Sequence, residues 1–522
     1  MDNYGFISIL PPIIAVVLAI KTKNVISSLF LAGLFGALAL NGWNPIFALQ
    51  NYIKDYIFVQ TSNASNSDVL VLLIFIGGFV GVLTNSGGAS VFANKIASFI
   101  NTRAKAQLMV WFAGIVIFFS ANGTALILGP SFQPVTDKLK ISREKLAWLI
   151  DSTSSPVCIL IPFISWGVYI LGLMEKEFQA AGIKMDALEA FMHVLPFQFY
   201  SIGALFMIPV IALTGYEFSA MYKAEKRTIE TGQPYWPEAK PVRLSIDINK
   251  VQKGATLSMM SVPLIVLFAS IFGLLIYHGF PFKRIPGGTL RAALCFSYLA
   301  SAITCILITI KNKVKTPGEC FKMYMDGTKQ IIFIIMILVL AWSLSSICQA
   351  LGTGNYLVGL SRGTIPGWAV PALLFIAGAM MSFATGTSWG TFAILMPIAV
   401  PMSAALGAPL FATIGAVLSG GLFGDHCSPI SDTTVISSMG AACDHIDHVK
   451  TQLPYALTVA LASSICYIIT GFVGTPFLIF LQLFLVVVFG ALFSKKWGKK
   501  LSNKIELHSN YSQDKAVLNE VS

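Results

Sequence analysis

Apolar segments of about 20 residues recur from one end of this chain to the other. The hydrocarbon core of a bilayer is about 30 Å thick, and a helix of about 20 apolar residues spans it. Crossing segments are predicted near 6–20, 25–40, 69–84, 146–172, 194–214, 256–278, 289–310, 331–349, 410–436, 453–470 and 477–493. Since 55% of the 522 residues are hydrophobic and 11% are charged, polar surface is too scarce for a soluble protein of this length. The sequence therefore predicts an all-α polytopic membrane protein.

Lysine and arginine residues concentrate in alternate loops between the apolar segments. This placement follows the positive-inside rule, so the net charge of +11 does not indicate nucleic acid as a partner. Two further long segments, near 107–135 and 367–401, are interrupted by polar runs. If both are re-entrant hairpins, cytoplasmic loops hold 28 of the 35 Lys and Arg residues. We therefore expect about eleven crossings plus two hairpins, with the N-terminus outside and the C-terminus cytoplasmic.

The two halves of the chain carry matching motifs in the same order. The matched residues are Gly88 with Gly354, Gly123-Thr124 with Gly390-Thr391, Pro130 and Pro134 with Pro397 and Pro401, and Asp151, Ser155 and Pro156 with Asp425, Ser428 and Pro429. Such internal symmetry is typical of secondary transporters, and the flanking charges predict that the halves have inverted topology. The predicted organisation is a first membrane half (1–214), a cytoplasmic loop (215–255), a second membrane half (256–493) and a disordered cytoplasmic tail (494–522).

Polar, helix-breaking runs interrupt both hairpin segments, at 120–124 and 385–391. Non-helical backbone survives inside a bilayer only where protein or a water-filled cavity surrounds it, so the two tips should meet at a binding site. The tip residues expected to offer polar groups there are Asn122, Thr124, Thr387, Ser388 and Thr391.

Three acidic residues, Asp151, Asp425 and Asp432, lie well inside apolar crossing segments. A carboxylate at that depth costs several kcal/mol unless an ion or proton compensates it, so all three are candidate ion or proton sites. A structural polar network between packed helices is the alternative. Asp432 follows Asp425 by seven residues, about two turns on and on the same face if the helix continues.

The segment around Asp425 reads Gly-Asp-His-Cys-Ser-Pro-Ile-Ser-Asp-Thr-Thr from 424 to 434. Its proline removes an amide donor and frees a carbonyl, which predicts a break that exposes backbone oxygens. Carboxylate, hydroxyl and carbonyl oxygens suit a small hard cation, and the carboxylates can take up protons instead. The hydroxyl residues proposed as ligands are Ser155, Ser428, Ser431 and Thr433.

Histidines beside these aspartates give a second type of candidate. His426 either carries or senses protons or forms an interhelical hydrogen bond. The Cys-Asp-His-Ile-Asp-His run that contains His445 and His448 favours a charged boundary or a pH-responsive loop over a metal site. The eight cysteines are scattered without zinc or redox spacing, so no structural metal, disulfide or cofactor is expected.

The motif at 424–434, followed by the runs at 442–449 and 452–455, resembles the NhaC-type sodium/proton antiporters, and the run at 384–391 resembles the family's other prominent motif. The resemblance implies exchange of Na+ for protons in a bacterial cytoplasmic membrane by a fold of inverted repeats with hairpins. The family also includes malate/lactate exchangers coupled to these ions, so it does not fix the solute.

We therefore predict a secondary active transporter rather than an enzyme, most simply a Na+/H+ antiporter that works by alternating access. The alternative is a Na+- or H+-coupled exchanger or symporter of an organic acid or amino acid. No Lys or Arg is visible within the apolar segments to bind an anion, which leaves exposed amides at the hairpin tips.

An intramembrane aspartyl protease is disfavoured because residues 422–425 lack its Gly-x-Gly-Asp signature. A passive channel is disfavoured because it would show repeated filter residues. Membrane lipid is an expected partner, and a homodimer stays open.

Overall fold

The computed structural model describes residues 4–241, 253–279, 285–353, 356 and 365–501. Within these ranges it is almost entirely helical, with ten helices long and apolar enough to cross a membrane, or up to twelve if each of two bent helix pairs is one span. The predicted all-α membrane class is confirmed. Gly354 and the chain beyond residue 501, which enter the repeat and tail predictions, lie outside the described residues.

Residues 4–214 form thirteen α-helices. They are α1 (Leu10–Thr22), α2 (Val25–Leu40), α3 (Pro45–Asn51), α4 (Val59–Ser62), α5 (Ala64–Asn85), α6 (Gly88–Ala97), α7 (Arg103–Val116), α8 (Ala121–Lys138), α9 (Arg143–Asp151), α10 (Ser155–Cys158), α11 (Ser165–Ala180), α12 (Ala187–Val194) and α13 (Phe199–Thr214). A π-helical stretch, Tyr52–Phe58, joins α3 to α4, and the chain bends by 117° between α2 and the 45–62 segment.

The numbering continues through the segment after α13 and the second half of the chain. The elements are β1 (Tyr216–Phe218), α14 (Ser219–Thr231), α15 (Ser258–Tyr277), α16 (Gly287–Lys311), α17 (Pro317–Ala350), α18 (Val370–Thr385), α19 (Ser388–Leu406), α20 (Leu410–Cys427), α21 (Asp432–Gly440), α22 (His445–Val473), α23 (Leu478–Trp497) and β2 (Gly498–Lys500). Short 3-10 turns at Gly5–Ile9, Leu195–Phe197 and Gly367–Ala369 precede α1, α13 and α18.

Both predicted hairpin segments are helix–break–helix units. Hairpin 1 consists of α7 and α8, and hairpin 2 of α18 and α19. At the first break the Ser120 hydroxyl accepts a hydrogen bond from the Gly123 amide, which caps α8. At the second break Gly386 ends α18 with φ +70°, a conformation that glycine adopts without strain. The glycines of both polar runs therefore terminate or start helices, as their sequence positions predict.

The two aspartate motifs also interrupt helices. In the first half the break separates α9 from α10, and in the second half it separates α20, which ends at Cys427, from α21, which begins at Asp432. The helix that carries Asp425 thus does not continue through Asp432, and the two aspartates do not share one helical face. Asp432 is the first residue of a new helix.

The segment after α13 is docked onto the helices rather than extended as a free loop. Three buried ion pairs hold it: Lys145 with Glu217 at 2.8 Å, Arg227 with Glu144 at 2.8 Å, and Arg103 with Glu225. Strand β1 pairs antiparallel with β2, so the first residues of the predicted tail complete helix α23 and a two-stranded ribbon. Buried charges of this kind are tolerated because each has an opposite partner.

Hairpin 1 packs against α21 through glycine. A Cβ atom added to Gly129 of α8 would lie 2.2 Å from the carbonyl carbon of Gly440, at the end of α21. Asn122 near the start of α8 and Asp432 at the start of α21 both line one cavity, so the two helices run in parallel from it. This close contact of backbones fixes the position of the helix that begins with Asp432.

Replacing Gly129 by alanine should therefore destabilise the protein. The added methyl group must displace backbone, which typically costs about 1–3 kcal/mol. We expect a lower melting temperature in detergent by differential scanning fluorimetry. Gly273→Ala, in α15, is the matched control, because a Cβ there meets nothing within 4 Å and should leave stability unchanged or slightly raised. Equal melting temperatures for the two variants would contradict this packing.

Candidate functional site

A cavity of about 550 Å³ lies where the two hairpin tips approach each other. Its walls come from both hairpins, from the α20–α21 break, from the turn between α1 and α2, and from α2, α5, α11 and α17. The polar residues that line it are Lys23, Asn24, Ser27, Ser120, Asn122, Ser165, Gln330, Thr385, Thr387, Asp432 and Thr433. Both predicted tips, at 120–122 and 385–387, thus contribute to one cavity.

Asp425 is buried beside the tip of hairpin 2, with 2% of its surface exposed. One carboxylate oxygen accepts hydrogen bonds from the Ser388 amide at 3.1 Å and from the Ser388 hydroxyl at 2.6 Å. The other accepts from the Ser431 hydroxyl at 2.6 Å. Because Ser388 is the first residue of α19, Asp425 caps this helix and its negative charge faces the positive end of the helix dipole.

Polar oxygens connect Asp425 with the cavity. The Ser431 hydroxyl lies 3.0 Å from the Thr433 hydroxyl, and Thr433 lines the cavity together with Asp432. The Asp432 side chain is exposed to this space, and the Asn122 amide of hairpin 1 lies against it. The carboxylate of Asp425, the hydroxyls between, and the carboxylate of Asp432 form a set of hard oxygen ligands that suits a small cation.

Helix termini reinforce this arrangement. The N-termini of α8, α19 and α21 all lie at the cavity, where their free amides carry partial positive charge. The acidic side chains of Asp425 and Asp432 each sit at one of these termini, which offsets part of the cost of burying a carboxylate. Local sequence thus places the carboxylates where broken helices can stabilise them.

Asp151 belongs to a different buried network. Its carboxylate accepts from the Gln452 amide at 2.7 Å and from the Ser437 hydroxyl at 3.3 Å, and it lies 3.4 Å from the ring Nε2 of His448. His426 Nε2 is 4.0 Å from the same carboxylate. Although Asp151 matches Asp425 in the repeat, the structure surrounds it with groups from α21 and α22 rather than with the cavity.

His426 points toward the first half of the chain and away from Asp425. Its ring nitrogens lie 3.1 Å from the Ser152 hydroxyl and 2.7 Å from the Tyr200 hydroxyl. The Gln452 amide also donates to the His426 carbonyl. His426 therefore bridges the two halves beside Asp151 through interhelical hydrogen bonds, and its role as a proton carrier or sensor stays a prediction.

The other predicted hydroxyl residues lie around the site in supporting positions. Ser428 donates to the Phe383 carbonyl at 2.7 Å, Thr124 to the Ile117 carbonyl at 2.8 Å, and Thr391 to the Thr387 carbonyl at 3.1 Å. Each of these bonds satisfies backbone oxygens at or near a helix break. The Ser155 hydroxyl is buried at the first-half break, apart from Asp425.

His445 bridges the Ser438 hydroxyl and the Pro429 carbonyl. Across the described residues, no group of three His, Cys, Asp or Glu side chains is placed to hold a metal ion.

Two charged residues, one that lines the cavity and one that is buried in α11, were missed by the sequence prediction. Lys23 lines the cavity together with Asp432, whereas its position in a short basic stretch indicated a cytoplasmic loop. Glu177 is 4% exposed inside α11, although its neighbours Glu175 and Lys176 made it look like part of a charged helix end. Helical periodicity could have identified Glu177. Glu175 and Glu177 are two residues apart in α11 and point about 200° away from each other, so both cannot lie on the same exposed face.

A bundle of membrane helices in which two hairpin tips and the α20–α21 break surround one cavity is the architecture of a secondary active transporter. The sequence matches the model of the Na+/H+ antiporter family over residues 157–472. The chain belongs to this family, and the resemblance to NhaC-type antiporters is confirmed.

Two related proteins and one solved structure are similar to this chain. An uncharacterized protein of Haemophilus influenzae is 34% identical over 89% of this chain and 91% of its own length. The malate-2H+/Na+-lactate antiporter of Bacillus subtilis is 35% identical, over 22% of this chain and 28% of its own length. The YdaH transporter of Alcanivorax borkumensis has a similar fold, with a TM-score of 0.57 at 15% identity over 83% of this chain and 90% of that chain.

Proposed function

We propose that this transporter exchanges Na+ for protons at a site formed by Asp425 and Asp432. The observation that carries the proposal is the buried Asp425 carboxylate, which three hydrogen bonds hold at the tip of hairpin 2 beside a cavity that contains Asp432. Membership of the Na+/H+ antiporter family supports the choice of ions. An acidic side chain at a helix break in a membrane is a typical ion or proton site.

The geometry allows the two ions to compete. With Na+ bound, Asp425 supplies charge while the hydroxyls of Ser388, Ser431 and Thr433 turn their oxygen lone pairs to the ion. With a proton bound, the Asp425 carboxyl group is neutral and the same hydroxyls keep their hydrogen bonds. Because one carboxylate cannot hold both ions at once, binding of either releases the other. Alternating access then converts this competition into exchange.

Asp151 receives a positioning role in this proposal. Its network joins α9 to α21 and α22, and through His426 it reaches the residue next to Asp425. A shift of α21 would therefore disturb Asp151 and Asp432 together. The network supports coupling between the two halves, and Asp151 lies outside the set of residues proposed to bind Na+.

Transport of a small organic acid or amino acid is the second candidate function. The cavity of about 550 Å³ is far larger than a sodium ion requires and holds both Lys23 and Asp432. A cation and a carboxylate in one cavity fit a solute that carries both charges, and the Trp166 and Trp389 rings offer apolar surface. The similarity to a malate-2H+/Na+-lactate antiporter supports testing such solutes.

The proposed location is a bacterial cytoplasmic membrane, with the N-terminus outside and the C-terminus inside. The distribution of Lys and Arg supports this orientation. It places the turn at Lys23 and Asn24 on the cytoplasmic side. Both residues are exposed and line the cavity, and this turn defines the cavity mouth. The structure then corresponds to an inward-open state, and a homodimer in the lipid bilayer is compatible with it.

Replacing Asp425 by asparagine should abolish exchange, because the amide cannot balance the charge of Na+ or release a proton. In proteoliposomes with an imposed pH gradient, addition of Na+ should collapse the gradient reported by a pH-sensitive dye, and Asp425→Asn should reduce this rate at least about 100-fold. Asp326→Asn, an exposed residue paired with Lys329, is the control and should keep the wild-type rate. Gradient collapse by an organic acid or amino acid but not by Na+ would favour the second candidate.

Loss of the Ser388 hydroxyl should weaken Na+ binding without removing it. A hydrogen bond or ligand to a charged group is worth about 1.5–3 kcal/mol, so Ser388→Ala should raise the Na+ concentration for half-maximal exchange about tenfold or more. Thr391→Val removes a hydroxyl one turn further along α19 that bonds its own helix backbone, and should change this concentration less than about threefold. Similar shifts in both variants would argue against direct contact of Ser388 with the ion.

The orientation can be tested with single cysteines on opposite sides. Lys226→Cys lies on the exposed face of α14, and Ala404→Cys lies near the exposed end of α19. An impermeant thiol reagent should label Ala404→Cys in intact cells, and should label Lys226→Cys only after the membrane is opened. The parent protein, with its described cysteines largely buried, gives the background. Labelling of both positions in intact cells would contradict the paired hairpins.

A further inference from the structure

Glu177 of α11 is a buried carboxylate outside the proposed Na+ site. Only 4% of it is exposed, and the Ser345 hydroxyl of α17 lies against it. Within the described part of the chain, no Lys, Arg or His side chain forms an ion pair with it. A buried carboxylate without a cationic partner is costly, and uptake of a proton removes that cost.

Helices α11 and α17 connect Glu177 with the cavity. Trp166 of α11 and Gln330 of α17 both line the cavity, while Glu177 and Ser345 meet further along the same two helices. From Trp166 to Glu177 the helix rises about 17 Å at 1.5 Å per residue. Glu177 therefore lies well beyond the cavity, toward the end of α11 and α17 that is remote from its mouth.

A layer of aromatic side chains separates the cavity from Glu177. Trp389 of hairpin 2 packs on Trp166 and Tyr169, with ring centroids 4.6 and 4.9 Å apart, and the Tyr169 hydroxyl donates to the Trp389 carbonyl at 2.6 Å. Next along the path, the Trp342 indole donates to the Gly172 carbonyl at 3.0 Å. Trp166, Tyr169 and Trp342 are buried, so this aromatic layer closes the route in the observed state.

We propose that Glu177 is a second proton-binding site, reached from the membrane side opposite the cavity mouth. The inference rests on the proposed proton-coupled exchange, in which a proton must enter or leave on each side of the closed layer. A carboxyl group just beyond the aromatic layer provides a place for that proton. When hairpin 2 moves and Trp389 separates from Trp166, Glu177 and the Asp425 site join one path.

Few other groups can account for titration at this position. Lys176 precedes Glu177 in α11, and Cys348 of α17 is the other ionisable side chain that faces it. Helix α19, which also packs on α11, carries no ionisable residue, and Glu189 and His193 of α12 are exposed. On the opposite face of α11, Glu175 binds Arg291, which also contacts Asp68 of α5.

Infrared difference spectroscopy tests protonation directly and does not depend on transport. The purified protein in lipid should show the carbonyl-stretch band of a protonated carboxyl group, which responds to pH. Glu177→Gln should lose a band that is kept by Glu175→Gln, a change at the partly buried, ion-paired neighbour. Spectra of Glu177→Gln and Glu175→Gln that lose the same bands, or none, at every pH would overturn the proposal.

Transport assays test whether this proton is coupled to exchange. In oriented proteoliposomes, Glu177→Gln should slow Na+-driven proton flux about tenfold or more and remove its response to pH on the side opposite the cavity mouth. Glu177→Asp should restore part of the flux, and Glu175→Gln should behave like the wild type. An unchanged pH response in Glu177→Gln overturns the coupling. If the wild type shows no Na+-driven flux, the proposed exchange fails, while the infrared result still decides whether Glu177 binds a proton.

Discussion

Lipid offers no hydrogen bonds, so every break in a membrane helix must find partners for its backbone within the protein. The architecture around the cavity follows from this constraint. Asp425 caps α19, the Thr124 hydroxyl bonds the Ile117 carbonyl, and the Ser428 hydroxyl bonds the Phe383 carbonyl. Groups that satisfy the breaks are the same types of group that bind a small cation. In the proposed site the Asp425 carboxylate serves both purposes, because it caps α19 and supplies oxygens for the ion.

Much of the fold could be predicted from the sequence because its signals are local. Apolar length predicts membrane helices, and glycine, proline and hydroxyl residues inside apolar runs predict where helices stop. Both hairpin units and both aspartate breaks occur where these residues lie. The extent of each break could not be predicted. Asp432 begins a new helix, because the 428–431 segment, which contains Pro429, interrupts the helix that ends at Cys427.

The candidate site was predicted less completely, because which side chains meet depends on how helices rotate and pack. The repeat equates Asp151 with Asp425, yet α21 and α22 cover Asp151 and give it a histidine and a glutamine. Lys23 was overlooked because its short basic stretch resembled a loop. Glu177 was overlooked because the neighbouring Glu175 and Lys176 made it resemble part of a charged helix end. Several basic residues counted as loop charges, such as Lys145, are in fact buried in ion pairs.

In the proposed exchange, ion binding and closure of the aromatic layer are connected through two adjacent residues of hairpin 2. Ser388 holds the Asp425 carboxylate, and Trp389 seals the aromatic layer against Trp166 and Tyr169. When Na+ replaces the proton, the Ser388 hydroxyl must turn from donor to ligand, and the start of α19 adjusts with it. Since Trp389 is part of that first turn, its packing changes at the same time. A state with empty, ionised Asp425 keeps the strongest bonds to Ser388 and so favours the closed layer, which limits leakage of either ion.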